Sequence, residues 1–271
     1  MPLVFSATTQ KTIRNLQRTL PHAVLLHGDV GVGLRTTARY IAGESLAGIV
    51  EPTIAERQTT ESIKVDQIRQ LYDITKGKYT TRRVFIIDNA DTMVAAAQHA
   101  LLKLLEEPVN NVHFMLTSHT PQLLLPTILS RVQQYRIEQI STSQSEKLLQ
   151  NLGVNNSTTM QQLLFLADGK PAELYRLTSD PEKLAAQAAY IKDAQALLTG
   201  TVLQKMSVVM SYASSRTNAL QLLALAQSLI SHTLTKSPST QLIKTADKLA
   251  IAYDNIAANS SVRLQLLLLV L

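Results

Sequence analysis

Val84-Phe85-Ile86-Ile87 is an unbroken apolar run that stops at Asp88. A run without alternation fits a strand buried on both faces. Asp88 then stands at the carboxyl end of that strand, where open parallel α/β sheets bind ligands. A helix pattern follows, in which Met93, Ala97, Leu101, Leu104 and Leu105 recur at helical spacing until Pro108 stops it. Upstream, residues 6–20 predict an amphipathic helix with Ile13, Leu16 and Leu20 on one side and Lys11, Arg14 and Arg18 on the other, closed by Pro21. Ala23 to His27 reads as a second buried strand, and a helix is expected from about Thr36 to Leu46. Residues 47–61, with Pro52 and several acids, read as an irregular surface connection. Ser62 to Val65 is a short strand candidate, followed by a helix from Gln67 to about Thr75 with Asp66 as its cap and Ile68, Leu71 and Ile74 as its stripe. Residues 77–83 form a basic loop. Val112 to Leu116 is a third apolar run, ending at Thr117 and Ser118, whose tip falls beside Asp88 if the two strands are neighbours. Residues 121–137 give a short helical piece, then Ser130-Arg131, then a last strand with Val132, Tyr135 and Ile137.

The pattern then turns helical. Ser141 to Leu152 carries Leu148, Leu149 and Leu152, and Met160 to Ala167 forms a second helix. Helices are expected over 182–199, 201–213, 216–235 and 239–271, the last broken around Asn255–Ser260. Leu222, Leu225, Ala226 and Leu229 make a wide stripe, and Leu264 with Leu266 to Leu269 is apolar nearly all round. Stripes this wide need a second layer to cover them. Either a self-contained bundle or neighbouring subunits can supply it.

Composition narrows the classes. At 271 residues the chain has room for one large domain or two to three small ones. Apolar residues make up 45% but aromatics only 4%, so the cores are built from Leu, Ile, Val and Ala. Cysteine is absent, which excludes disulfides and thiolate-bound zinc and fits a reducing compartment. No apolar stretch reaches the roughly 18 residues that span a bilayer, and the N-terminus lacks a basic region followed by a long apolar core. A cytoplasmic protein without a signal peptide is expected. The net charge of +6 divides evenly between the two halves with no long basic run, which permits contact with a polyanion without demanding it.

Between the Ala23–His27 strand and the next helix lies GDVGVGLRTT, residues 28–37. Strand, glycine-rich turn and helix are the frame of a P-loop, G-x-x-x-x-G-K-[ST], whose backbone N–H groups wrap a phosphate. Gly28 and Gly33 hold the two glycine positions, with Gly31 between them. Leu34 stands at the lysine position and Arg35 at the Ser/Thr position. Lysine reaches the β- and γ-phosphates and Ser/Thr ligates Mg²⁺, and Leu34 does neither. Arg35 is charged but sits one residue late, pointing about 100° away from the lysine direction on a helix. Thr36 offers a hydroxyl only if the register slips. The turn is expected to survive as a scaffold without a productive nucleotide.

ALLKLLEEP (100–108), preceded by IIDNADTM (86–93) and followed by LLPTILSRVQQY (124–135), resembles the clamp-loader branch of the AAA+ ATPases. SIKVDQIRQL (62–71) is similar to the stretch that precedes that region in the same branch. The resemblance implies an α/β P-loop (AAA+) parallel-sheet domain over 1–137, a small helical lid domain over 138–180 and an all-α collar domain over 181–271 that joins subunits in a pentamer. Members that hydrolyse ATP carry Asp-Glu at the strand tip; here the pair is Asp88-Asn89, and asparagine is no carboxylate base. With Leu34, this favours a subunit that does not hydrolyse ATP. The branch's Ser-Arg-Cys motif stands here as Ser130-Arg131-Val132, and its arginine reaches into the neighbouring subunit's ATP site. The four-cysteine zinc module common in the branch is absent. At the lid helix, Lys170-Pro171-Ala172-Glu173 stands where ATP-binding members place a phosphate-sensing arginine, with Arg176 further on.

The resemblance therefore implies a non-hydrolysing clamp-loader subunit that helps open a sliding clamp and load it on primed DNA. Its partners would be gamma/tau and delta subunits, the clamp, and DNA through the assembled complex, with no membrane. Arg131, with Ser130, would act in trans as an arginine finger. Gly28, Gly31, Gly33, Arg35, Thr36 and Asp88 would form an altered nucleotide site with no metal. This chain would need no cofactor of its own, while ATP and Mg²⁺ would sit at the neighbour. A gamma-like active ATPase and an AAA+ scaffold outside replication remain the alternatives.

Overall fold

Parallel strands with apolar residues on both faces organise the first part of the chain. The computed structural model describes residues 3–54, 61–77, 79–236 and 239–270. It divides into two compact units, Met1–Thr178 and Ser179–Leu271.

The first unit begins with α1 (Ala7–Arg18), β1 (Ala23–His27), α2 (Leu34–Ala42) and β2 (Leu46–Val50). It continues with α3 (Val65–Thr75), β3 (Arg83–Ile87), α4 (Ala95–Glu106), β4 (Val112–Ser118), α5 (Pro126–Leu129) and β5 (Gln133–Arg136). Three helices close it: α6 (Thr142–Asn151), α7 (Ser157–Ala167) and α8 (Pro171–Ser179). The strands form one sheet in the order β2-β3-β4-β1-β5, and every pairing is parallel. All five carboxyl ends therefore lie along one edge.

The strand residues divide between two cores. Leu25, Phe85, Ile87, Phe114 and Leu116 join Leu101, Leu104 and Ile68 on one face. Val24, Leu26, Val84, Ile86 and Met115 join Ile13, Leu16, Leu34 and Ile41 on the other. Successive residues of a strand point to opposite faces, so an unbroken apolar run feeds both cores at once. Ser6 caps α1 by accepting from the Thr9 N–H at 3.1 Å.

Several boundaries depart from the sequence pattern. The helix expected from Thr36 starts at Leu34 and stops at Ala42, because Gly43 turns the chain at φ +52°. Leu46, expected to end the helix, and residues 47–50, expected as irregular, form β2. Their pairing with β3 outweighs the weak strand preference of a segment containing Ala47 and Gly48. Of the expected irregular connection, residues 55–60 lie outside the described residues, as does residue 78 of the basic loop. The strand expected at Ser62–Val65 is reduced to isolated bridges, Ser62 to Thr53 and Ile63 to Met93. Helix α3 starts at Val65, where the Gln67 side chain accepts the Lys64 N–H at 2.8 Å, so Asp66 lies inside the first turn and is not the cap. Ile74, expected in its stripe, is exposed, and Thr75 is buried in its place.

The second unit is helical: α9 (Pro181–Thr199), α10 (Val202–Tyr212), α11 (Arg216–Lys236), α12 (Thr240–Ala257) and α13 (Val262–Leu267). The break expected near Asn255–Ser260 separates α12 from α13, with Asn259 at φ +71°. Leu222, Leu223, Ala226, Ile230, Leu249 and Ile256 form a core of the unit's own. The Tyr212 hydroxyl donates to Asp193 at 2.8 Å, and burial followed by that carboxylate raises its pKa.

Leu101 is fully buried in the α4 face of the first core. Leu101→Ala leaves a cavity there and is expected to cost about 3 kcal/mol. Urea unfolding should register the loss as an earlier midpoint, while truncation of the exposed Ile74 should leave the midpoint nearly unchanged.

Candidate functional site

Asp88 follows β3 directly, and its side chain is buried. Its backbone N–H donates to Val50 at 2.9 Å, carrying the β2–β3 pairing one residue past the strands. Asp88 Oδ1 accepts the Thr117 hydroxyl at 2.6 Å, and Thr117 Oγ1 accepts the Asn89 N–H at 2.9 Å. The expected neighbour relation of β3 and β4 is thus made, and Thr117 bridges their tips. Asn89 has φ +48°, a left-handed conformation that asparagine tolerates well. The residue that lacks a carboxylate base is one that suits this turn.

The loop after β1 has the two left-handed glycines a P-loop turn requires, Gly31 at φ +94° and Gly33 at φ +89°. Gly28 lies so close to β5 that a Cβ there would fall 2.5 Å from the Ile137 carbonyl oxygen. The Gly28 carbonyl accepts from His119 Nδ1 at 2.8 Å. His27, the last residue of β1, has its pKa lowered by burial and then by the Arg136 guanidinium.

Leu34, at the lysine position, is buried in the second core. Arg35 turns the other way. Its guanidinium forms an ion pair with Glu51, just past β2, and lies 3.8 Å from Asp88 Oδ2. Thr36 faces neither carboxylate; it lines a small apolar pocket with Leu3, Phe5, Pro171, Ala172 and Tyr175. The apex of the loop is covered by α8, whose Ala172 and Glu173 N–H groups donate to the Gly31 carbonyl at 3.0 and 3.3 Å. A helix leaves its first N–H groups without partners, and here a loop carbonyl supplies one. Arg176 is turned onto Glu173 of the same helix through bonds of 2.9 and 2.5 Å. Three departures from a working P-loop are present: no cation stands at position 34, Asp88 is paired with Arg35, and the Gly31 carbonyl at the loop apex is bonded by α8.

Ser130 and Arg131 lie elsewhere on the first unit, between α5 and β5. Val132 is buried in the first core. Arg131 stays a third exposed, with a side-chain accessibility of 36%. It donates to the Thr127 carbonyl at 3.0 Å and to the Ser130 hydroxyl at 3.4 Å, and pairs with Glu106 at 2.8 Å. Sequence reasoning missed two acids, Glu51 and Glu106. Glu51 had a readable signal, since it follows the apolar LAGIV run as Asp88 follows VFII. Glu106 lay in the ALLKLLEEP string without a role.

The family described as DNA polymerase III, delta subunit matches residues 49–141, which include β3, α4, β4, α5 and β5. The DNA polymerase III subunit delta-prime of Pseudomonas aeruginosa is 32% identical over 185 residues, covering 58% of this chain and 55% of the relative. The delta-prime subunit of Bacillus subtilis is 30% identical over 194 residues, covering 64% of this chain and 58% of the relative. Over these stretches the chain is similar to the delta-prime subunits of the clamp-loader branch. The matched stretches span little more than half of either relative's own length. A gamma subunit-related protein from Thermotoga maritima shares the fold across 97% of both chains, with a TM-score of 0.55 at 17% identity. The resemblance read from ALLKLLEEP and its flanks thus agrees with the stretch that matches this family.

Two consequences concern this site. Thr117→Val removes the donor to a buried carboxylate and the acceptor of the Asn89 N–H. The expected cost is about 1–3 kcal/mol, read as a drop in the denaturation midpoint. The His27 pKa is lowered in the fold, so below the unfolded value near 6.5 the unfolded chain binds a proton the folded chain refuses. Stability contributed here is present above that pH and falls as pH drops below it. His27→Asn should flatten the loss between neutral and mildly acidic pH in a melting series.

Proposed function

We propose that this chain is a clamp-loader subunit of the DNA replication machinery that runs no ATPase of its own. It lends Arg131 to the ATP site of a neighbouring subunit. The observation that carries the reading is the contrast between two arginines. Arg35, inside the P-loop, is tied to the chain's own carboxylates. Arg131 is held at the surface after α5, its two terminal nitrogens bonded to the Thr127 carbonyl and to Glu106. A guanidinium meets a phosphate bidentately once it exchanges such surface partners.

The delta-prime relatives support the placing in a clamp loader. The partners on this reading are gamma/tau and delta subunits, the sliding clamp, and primed DNA reached through the assembled ring. ATP and Mg²⁺ belong to the neighbour's site, and this chain needs no cofactor. Residues 138–180 act as the lid and 181–271 as the collar. An apolar stripe on α10 supports the collar role: Leu203 and Met210, one face apart by seven residues, are 82% and 56% exposed. Among the described residues, no helix is long and apolar enough to cross a membrane.

The test is reconstitution with gamma/tau and delta subunits. Arg131→Ala should leave assembly intact and lower the ATPase of the complex by about 10³-fold at the site it serves, the lower end of the range for an arginine finger. Unchanged ATPase, or hydrolysis by the purified chain that disappears in Asp88→Ala, would overturn the proposal.

A further inference from the structure

Position 35 is where a P-loop places the hydroxyl that ligates a divalent metal, and Asp88 is the carboxylate on the other side of that metal. Here the guanidinium of Arg35 occupies the space between Asp88 and a second acid, Glu51. Both acids are fixed by their strand ends. Asp88 is held by Thr117 and by its N–H bond to Val50. The Glu51 carbonyl accepts from Gln67 Nε2 at 2.8 Å. Among the described residues, no group of three or more His, Cys, Asp or Glu is placed to hold a metal ion.

We infer that Arg35 is the resident cation of this site: its side chain takes the place of the divalent metal and offsets one of the two carboxylate charges without Mg²⁺. An arginine remains protonated at any physiological pH and is tethered by its own helix. Magnesium and manganese prefer carboxylate and water oxygens, and neither displaces a covalently attached guanidinium from two acids at no cost. The site also tolerates the change structurally, because Arg35 lies at the first turn of α2 with Leu34 anchored in the core beneath it. A sheet edge with Asp88 and Glu51 side by side would otherwise carry two adjacent negative charges, one of them buried. Removing Arg35 therefore does more than delete an ion pair. It exposes two oxygen ligands of the class hard divalent cations take. The assignment is independent of Arg131 and of any role in a ring.

The full chain is titrated with Mn²⁺ and followed by electron paramagnetic resonance, in parallel with thermal melting with and without millimolar Mg²⁺. The native chain should bind no Mn²⁺ through Asp88 and melt at the same temperature in both conditions. Arg35→Ser should melt earlier without metal, recover on adding Mg²⁺, and bind Mn²⁺ about tenfold or more tighter than the native chain, since a repelling unit charge has been removed. Arg35→Ser combined with Asp88→Asn should lose that binding. Arg35→Lys, which keeps the charge and guards against a Ser variant that does not fold, should exclude Mn²⁺ as the native chain does. Asp88-dependent Mn²⁺ binding by the native chain would overturn the inference. So would a folded Arg35→Ser chain with no gain in Mn²⁺ binding, or an Arg35→Lys chain that binds it.

Discussion

A buried carboxylate sets the terms for this molecule. Asp88 ends a strand covered on both faces, so its charge cannot be solvated and has to be met by neighbours. The groups that meet it are the Thr117 hydroxyl from β4 and the Arg35 guanidinium from α2, while the Asp88 backbone N–H bonds the Val50 carbonyl at the end of β2. Side chain and backbone of this one residue thus tie the tips of three strands to the first turn of a helix. The position of the P-loop turn follows, because α2 enters the sheet edge at the angle that brings Arg35 over Asp88.

That dependence explains what was legible in the sequence. Val84–Ile87, Ala23–His27 and Val112–Leu116 are runs whose every residue must be apolar when both faces are buried, and such runs can be read directly. Asp88, the glycine spacing and the Ser130-Arg131 pair are local strings and were equally readable. What could not be read rests on contacts between distant segments. Strand β2 is made by pairing with β3, since Ala47 and Gly48 carry little strand preference of their own. Ile63 buries itself through a single bridge to Met93, which a local pattern takes for a strand. The salt bridges of Arg35 with Glu51 and of Arg131 with Glu106 join residues that no helical or strand period relates.

Arg35 and Arg131 show how surroundings decide what the same side chain does. Both carry a permanent charge and both are partly exposed. Arg35 pairs with Glu51 and lies 3.8 Å from the buried carboxylate of Asp88. Arg131 pairs with Glu106 and donates to the Thr127 carbonyl. Glu51 and Glu106 are similarly exposed, and exposed ion pairs are weak, on the order of 1 kcal/mol or less. What sets Arg35 apart is the buried acid beside it. On the proposed reading, pairing with an exposed acid alone is what leaves Arg131 available to a neighbour.

Helix α8 adds a mechanical consequence to the electrostatic one. Here the first turn of α8 bonds to the Gly31 carbonyl directly, and Ala172 lies against Gly33 at ordinary van der Waals distance. The contact is made from residues of the chain alone, as the charge balance at Asp88 is. Loop, helix and arginine hold one another through the chain's own groups. On the proposed reading, a subunit that holds Arg131 steady for a neighbour gains from that arrangement, since the contact of α8 with Gly31 and the pairing of Arg35 with its acids both come from within the chain.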